Sequence, residues 1–356
     1  MKHLHITNTE KFVEPYIKFI TSKFDSNEHK FFCFKNSITD YIKGSYINLF
    51  KFDKVAWNLK VLKELYATDR IYLHGLFDMR IVLLLFFQPW LLKKCFWIVW
   101  GADLYSYRQP RFTLKAKIKE YSRRFVIKRI GGLITHIKGD YELAKEWYGI
   151  RGEYYYSFIY PSNLYKEILI FEKIKDDTVT YIQVGNSADP SNNHLQIFEK
   201  LSLLNPKNVH IICPLSYGDK EYTEKIVKSG KALFGDSFEP LLEFMPFDNY
   251  LEVLSKIDVA IFNHNRQQAV GNITTLLGLG KKVYMRDDIT TWEFCKEHDL
   301  KVFSITKDID SVLIPINETD RVLNISNSRE QFSEIKLVKD WEYIFNSEKS
   351  SRREKV

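Results

Sequence analysis

Short β-branched or aromatic runs recur through the second half of the chain, at 178–184 (TVTYIQV), 208–213 (NVHIIC), 241–244 (LLEF), 257–262 (IDVAIF) and 282–285 (KVYM). Helix-length amphipathic stretches separate them, roughly 193–204, 219–234, 247–256, 270–280 and 290–298. Strands of a few residues alternating with helices build right-handed βαβ units, hence a parallel sheet covered on both faces. The first half follows the same grammar less crisply. Its strands fall at 2–7, 30–35, 70–74, 95–100, 132–137 and 154–158, and its helices at 10–23, 57–67, 78–88, 112–130 and 140–148. Pro161-Ser162-Asn163 and the charged stretch EKIKDD place a hinge within 160–177. The domains expected are therefore 1–165 and 175–310. A returning segment, 311–346, ends in an amphipathic helix (SEIKLVKDWEYIFN), and 347–356 is a polar, frayed tail. The fold class is α/β, with two Rossmann-like domains facing across a cleft.

Composition agrees with two cores. The chain has 356 residues, 45% apolar and 27% charged, which excludes a disordered or fibrous protein. Cys33, Cys95, Cys213 and Cys295 lie far apart with no CxxC pair, so a disulfide scaffold and a Cys-rich zinc site are not expected. The run Ile81–Trp100 is broken by Gln88-Pro89 and Lys93-Lys94. It is read as a buried helix followed by a buried strand rather than a membrane span. No apolar stretch follows the basic N-terminus, so no signal peptide is expected. The formal charge of +7 admits nucleic acid, anionic lipid or phosphate-bearing substrates without choosing among them.

In open α/β sheets ligands gather where strands run into helix N-termini. Three such places carry chemistry. In VGNSADPSNNH (184–194), Gly185 permits close backbone approach, and Asn186, Ser187, Asp189, Ser191, Asn192 and His194 surround a helix start. This is either a capped turn or a contact for phosphate or sugar hydroxyls. In FNHNRQQAVGNITTLLGLG (262–280), Arg266, Gln267 and Gln268 lead into a helix opening with Gly271 and Asn272. A guanidinium beside a helix N-terminus suits a diphosphate held without a metal; the alternative is a solvated surface arginine. In FWIVWGADLYSY (96–107), an apolar strand delivers Gly101 and Asp103, which serves as a general base or as a helix cap. His74, at the end of RIYLHG, faces the choice between base, substrate contact and core histidine.

A fourth feature concerns partners. Nine basic residues lie between Arg108 and Arg129, among them Arg111, Lys115, Lys119, Arg123 and Arg124, against the single acid Glu120. Phe112, Ile118, Tyr121, Phe125 and Ile127 are interleaved with them. Three readings stand: a helix lying on an anionic membrane surface, a duplex-binding face, or a solvated helix that packs its apolar stripe inward.

WGADLY at 100–105, GNSADPSNNH at 185–194, FDNYL at 247–251 and RQQAVGN at 266–272 together resemble the bacterial TDP-N-acetylfucosamine:lipid II N-acetylfucosaminyltransferases, glycosyltransferase family 56. The resemblance runs from about His74 to about Trp292. It implies a GT-B-like fold whose N-terminal domain holds the acceptor and whose C-terminal domain holds a TDP-linked sugar. It further implies metal-independent transfer of an N-acetylfucosamine-type sugar to a polyprenyl-diphosphate-linked saccharide, with no cofactor and no nucleic-acid partner. The setting implied is cell-surface polysaccharide synthesis, of the enterobacterial common antigen or O-antigen kind, by a peripheral protein on the cytoplasmic face of the inner membrane. On this reading Gly185, Asn186, Ser187, Asp189, Ser191, Asn192, His194, Arg266, Gln267, Gln268, Gly271 and Asn272 bind the donor. Asp103, His74 and Arg266 are the catalytic candidates, while Gly101, Tyr105, Arg111, Lys115, Lys119, Arg123 and Arg124 serve acceptor or membrane. Two positions depart from the pattern: the first strand turns into Asn8-Thr9 rather than glycine, and Ala269 stands where glycine is expected. Rival readings are a nucleotide-sugar epimerase and a non-enzymatic membrane- or nucleic-acid-binding protein.

Overall fold

The computed structural model describes all residues except 9, 11, 34–48, 51–56, 166–177, 205–206 and 354–356. The EKIKDD stretch of the expected hinge lies outside the described residues. The chain divides into two units, Met1–Ser162 with Glu334–Val356, and Asn163–Ser333.

The first unit is a seven-stranded sheet of β1 (His3–Thr7), β2 (His29–Cys33), β3 (Leu49–Phe50), β4 (Arg70–His74), β5 (Cys95–Ile98), β6 (Gly132–Ile134) and β7 (Glu153–Tyr155). The order is β3-β2-β1-β4-β5-β6-β7, and every pairing is parallel. Its helices are α1 (Val13–Lys23), α2 (Trp57–Ala67), α3 (Met79–Phe86), α4 (Ala102–Tyr105), α5 (Leu114–Arg129) and α6 (Lys138–Tyr148). Local chemistry sets their ends. The Asp78 carboxylate accepts from the Arg80 amide to start α3, Thr113 accepts from Ala116 to start α5, and left-handed Gly149 ends α6. The core gathers Leu4, Leu73, Val82, Trp97, Val126 and Leu133, all fully or almost fully buried.

The second unit repeats the plan with six parallel strands: β8 (Thr180–Val184), β9 (Val209–Pro214), β10 (Phe238–Leu241), β11 (Val259–Phe262), β12 (Lys282–Met285) and β13 (Phe303–Ser304). Their order is β10-β9-β8-β11-β12-β13. Helices α7 (His194–Leu204), α8 (Lys220–Phe234), α9 (Phe247–Lys256), α10 (Val270–Gly278), α11 (Thr290–Glu297) and α12 (Glu318–Gln331) flank it. In each unit the strand order reverses once, between β1 and β4 and between β8 and β11. Loops leaving neighbouring strands diverge there, and that divergence makes a crevice.

Several expectations need correction. The strand expected at 241–244 is Phe238–Leu241. Pro240 is tolerated because β10 is an edge, and Leu242 and Phe244 are exposed beyond it. Strands β3 and β13, two residues each, escaped the pattern, as did α12, whose buried positions are the polar Asn324 and Ser328. The segment 311–346 is not one element: α12 belongs to the second unit, whereas α13 (Glu334–Arg353) belongs to the first. The helix also continues into the expected tail. It runs to Arg353, and fully buried Arg70 donates to the Ile344 carbonyl and, at 3.0 Å, to Ser347 Oγ. The Ile81–Trp100 run is only partly buried, since Phe87 and Trp90 face solvent. Among the described residues no helix is long and apolar enough to cross a membrane.

Candidate functional site

At the reversal point of the second unit two loops are stitched together. The first leaves β8 at Gly185, whose amide donates to the Ile261 carbonyl on β11 (2.9 Å). Gly185 has φ of +70°, and a Cβ there would meet His194 Nε2 at 2.3 Å, so both conformation and space demand glycine. Buried Asn192 ties the loop: its Oδ1 accepts from the Asn186 amide (3.0 Å) and from His264 Nε2 (2.9 Å). Ser187 is wholly buried, within 3.3 Å of Asn192 Nδ2.

The second loop leaves β11 and carries Arg266 and Gln268. The Gln268 side chain bridges the two loops, with Oε1 2.8 Å from Ser191 Oγ and Nε2 3.4 Å from both Asn186 Oδ1 and Ser187 Oγ. Arg266 Nη2 lies 3.5 Å from Asp189 Oδ2, and Nη1 donates to the Gln267 carbonyl (3.0 Å). The Arg266 side chain keeps 19% exposure, so it is shielded but reachable. Burial would raise the Asp189 carboxyl, but the Ser191 hydroxyl and amide and the Arg266 guanidinium outweigh it and hold the group below its ordinary range. The structure therefore brings Gly185, Asn186, Ser187, Asp189, Ser191, Asn192, His194, Arg266 and Gln268 into one network.

Burial holds His194 to about 4 and His264 to about 3, so both rings are neutral. Among the described residues, one ring nitrogen of each, His194 Nε2 and His264 Nδ1, has no hydrogen-bond partner, and neither has Gln267 Oε1. Beside them α10 starts from Ala269 in the left-handed region (φ +60°). The amides of its first turn precede the first helical bond, from Ile273 to the Ala269 carbonyl (3.0 Å). Gly271 is less open than its sequence implied: a Cβ there would meet Asn163 Oδ1 at 2.9 Å. Asn272 is half-buried on the same turn.

Tyr217 was not singled out from the sequence, although it follows a strand. Its hydroxyl accepts from Asn186 Nδ2 (3.0 Å) and its carbonyl from the Ala188 amide (2.8 Å), while half of the residue stays exposed. Inspecting the loop after the 208–213 strand, PLSYGD, would have found it.

The first unit treats its candidates differently. Asp103 is 1% exposed, and its carboxylate accepts from Trp97 Nε1 (2.6 Å) and from the amides of Trp100 (3.0 Å), Leu76 (3.1 Å) and Leu104 (3.1 Å). Burial pushes its carboxyl up against those donors and Arg123. In this arrangement the Asp103 carboxylate braces the loop with its acceptor sites filled, as the helix-cap reading expects. His74 is buried in the same way, as the core-histidine reading expects. Tyr160 Oη receives Trp100 Nε1 (2.7 Å) and shares a 2.8 Å hydrogen bond with His74 Nδ1. Burial brings His74 down to about 3. A small recess lined by Thr7, Asn8, His74, Gly75 and Asp78 opens at the β1/β4 reversal.

The acceptor and membrane candidates split as well. Gly101 (φ +85°) turns the chain into α4, and buried Tyr105 donates to Asp140 Oδ1 (3.3 Å). Arg123 is buried, donating to the Tyr148 hydroxyl (2.7 Å) and the Asp103 carbonyl. Arg111 and Arg124 are both 2.9 Å from Glu120. Tyr105, Arg111 and Arg123 thus serve the fold rather than a surface, whereas Lys115 and Lys119 are exposed.

The comparisons agree on fold and family. The chain superimposes on Anabaena HepE in complex with UDP-glucose with a TM-score of 0.71, at 13% identity over 98% of this chain and 100% of that one. It superimposes on WaaG, a glycosyltransferase involved in lipopolysaccharide biosynthesis, at 0.61, with 12% identity over 97% and 99%. The UDP-forming α,α-trehalose-phosphate synthase of Burkholderia vietnamiensis gives 0.66, with 8% identity over 99% and 100%. These likenesses show the GT-B fold. A profile of the family described as 4-alpha-L-fucosyltransferase, glycosyl transferase group 56, matches residues 22–349. The chain belongs to glycosyl transferase group 56 and is a glycosyltransferase of the GT-B fold.

Proposed function

We propose that the enzyme moves an N-acetylfucosamine-type sugar from a TDP-linked donor to a polyprenyl-diphosphate-linked saccharide. The observation that carries the donor half is the half-shielded Arg266 guanidinium beside the Gly185–Asn192 loop, next to the open first turn of α10. As the bond between the sugar's anomeric carbon and the diphosphate breaks, negative charge collects on the leaving group. A fixed guanidinium and helix amides stabilise that charge without reorganising. A new bond forms to the acceptor oxygen as its proton departs. Tyr217, anchored through its hydroxyl and half-exposed as a residue, offers the nucleobase a stacking face. Support for a nucleotide-sugar donor also comes from HepE, which binds UDP-glucose on the same fold. The TDP preference and the acceptor rest on the family's loops, WGADLY and GNSADPSNNH.

A thermal-shift comparison of TDP, UDP and GDP tests the donor reading. A nucleotide at 100 times its dissociation constant stabilises by about 2.7 kcal/mol. TDP is expected to raise the midpoint most, and Arg266→Ala to abolish the rise. No response to any of the three, or an undiminished response in the variant, overturns the reading.

A further inference from the structure

Helix α5 is inside-out over its first turns. A surface helix buries its apolar stripe and turns its charges to water. Here the buried positions include Glu120, Ser122 and Arg123, whereas Leu114, Ile118 and Tyr121, spaced i, i+4, i+7, point outward. With Phe112 they are 55–88% exposed. Of the stripe read from the sequence, only Ile127, which is buried, and Phe125, which is half-buried, pack inward.

The patch extends beyond one helix. Phe86 of α3 packs against Tyr121 and Phe125 with ring centroids 6.1 and 4.9 Å apart. Next to it stands Phe87, 71% exposed, and Trp90 follows at 61%. Lys115, Lys117 and Lys119 are exposed among the apolar side chains. A soluble chain seldom presents so many large apolar groups together unless they meet a partner.

We infer that this face of the first unit docks on an anionic lipid bilayer. Phe112, Leu114, Ile118 and Tyr121 enter the headgroup boundary, and the three lysines meet the phosphates. Charge complementarity and aromatic composition select this occupant. A duplex is met mainly by guanidinium and ammonium groups, and here Glu120 engages Arg111 and Arg124 while Arg123 is buried. The inference deepens the lipid-linked acceptor reading and rests on it for its biological purpose. Its test, however, needs neither nucleotide nor acceptor, so the two fail separately.

The test is co-sedimentation of the full chain with vesicles of phosphatidylcholine alone and of equal parts phosphatidylglycerol and phosphatidylcholine. Binding to the mixed vesicles is expected to be at least about tenfold tighter. The triple substitution Phe112→Ser, Ile118→Ser, Tyr121→Ser is expected to weaken it at least about tenfold, with the melting midpoint retained because these positions are exposed. Lys115→Gln with Lys117→Gln and Lys119→Gln should erase the preference for anionic lipid. Wild-type binding by the triple-serine variant overturns the inference. So does binding to duplex DNA without binding to vesicles, or a dimer in sedimentation equilibrium that the serine variant splits while vesicles stay unbound.

Discussion

The two units place polar clusters at equivalent points of the same topology, and the clusters behave oppositely. In the first, the groups clustered around His74 and Asp103 meet partners from the fold. His74 joins Tyr160 and His5, His5 joins Tyr16 and His29, and Asp103 receives four donors. In the second, Gln268 and Asn192 stitch the loops, yet His194, His264 and Gln267 each keep a polar atom without a partner among the described residues, and Arg266 stays reachable. A strand-end carboxylate or histidine is therefore not evidence of catalysis by itself. Spare hydrogen-bonding capacity together with partial exposure is what separates a candidate ligand site from a brace.

Acid applies the largest load to this contrast. Burial holds His29 at about 4 and His74 at about 3, and burial together with His29, His74 and His3 holds His5 well below the ordinary histidine value. Each is neutral when folded and takes a proton near pH 6.5 when unfolded. The unfolded state thus gains protons first, and stability falls as pH drops from about 6.5 toward the folded values. At pH 5, His29 and His74 each forfeit about 2 kcal/mol. Six of the seven tryptophans belong to the first unit, so their fluorescence reports its melting. The midpoint should fall by about 8–16 °C between pH 7 and pH 5. An unchanged midpoint would mean that the histidine chain is not sealed.

Asp103→Ala comes next. It leaves the Trp97 indole and three amides without their acceptor in a buried place, which costs about 3 kcal/mol or more. The same fluorescence melt should drop by about 6–12 °C. A variant that melts like wild type yet has lost turnover would restore Asp103 as a base and break the comparison from the first unit's side.

Arg266→Ala attacks the other side. Its contact with the half-exposed Asp189 is long, at 3.5 Å, and contributes little stability. The fold should survive while turnover falls at least about tenfold, since losing a preorganised donor typically costs about 100–1,000-fold. Steady-state kinetics on the folded variant decides it, and undiminished turnover removes Arg266 from the reaction.

How much of this could be read in the chain follows from length scales. Strands of four to six residues with buried apolar faces, such as 180–184 and 259–262, announce themselves. Edge pairs such as Leu49–Phe50 and Phe303–Ser304 are too short for any period to show. The loop residues 185–194 and 266–268 were legible because glycine, small polar groups and a guanidinium sit where strands end. Asp103 and Arg123 had the same local signature as functional residues. Their partners, the Trp97 indole, the Leu76 amide and Tyr148, come from tertiary contacts that spacing does not encode.

Ala269 provides the smallest and sharpest test. At the turns beside Asp103 the positive φ values belong to Gly75 (+74°) and Gly101 (+85°), which adopt them without penalty. At the start of α10 an alanine takes φ of +60°, where its Cβ crowds the backbone at a cost of about 1–2 kcal/mol. The second unit thus carries strain in the turn that aims its helix amides. Ala269→Gly removes the crowding but gives back about 0.4–1 kcal/mol through a freer unfolded chain. The net gain should be about 0.5–1 kcal/mol, a rise of about 1–4 °C in the second unit's transition by calorimetry. Ala269→Val should lower that transition, because a β-branched residue fits the left-handed region worse. If glycine lowers the midpoint and valine leaves it alone, the turn is not strained, and α10 is oriented by its packing rather than held there by its first residue.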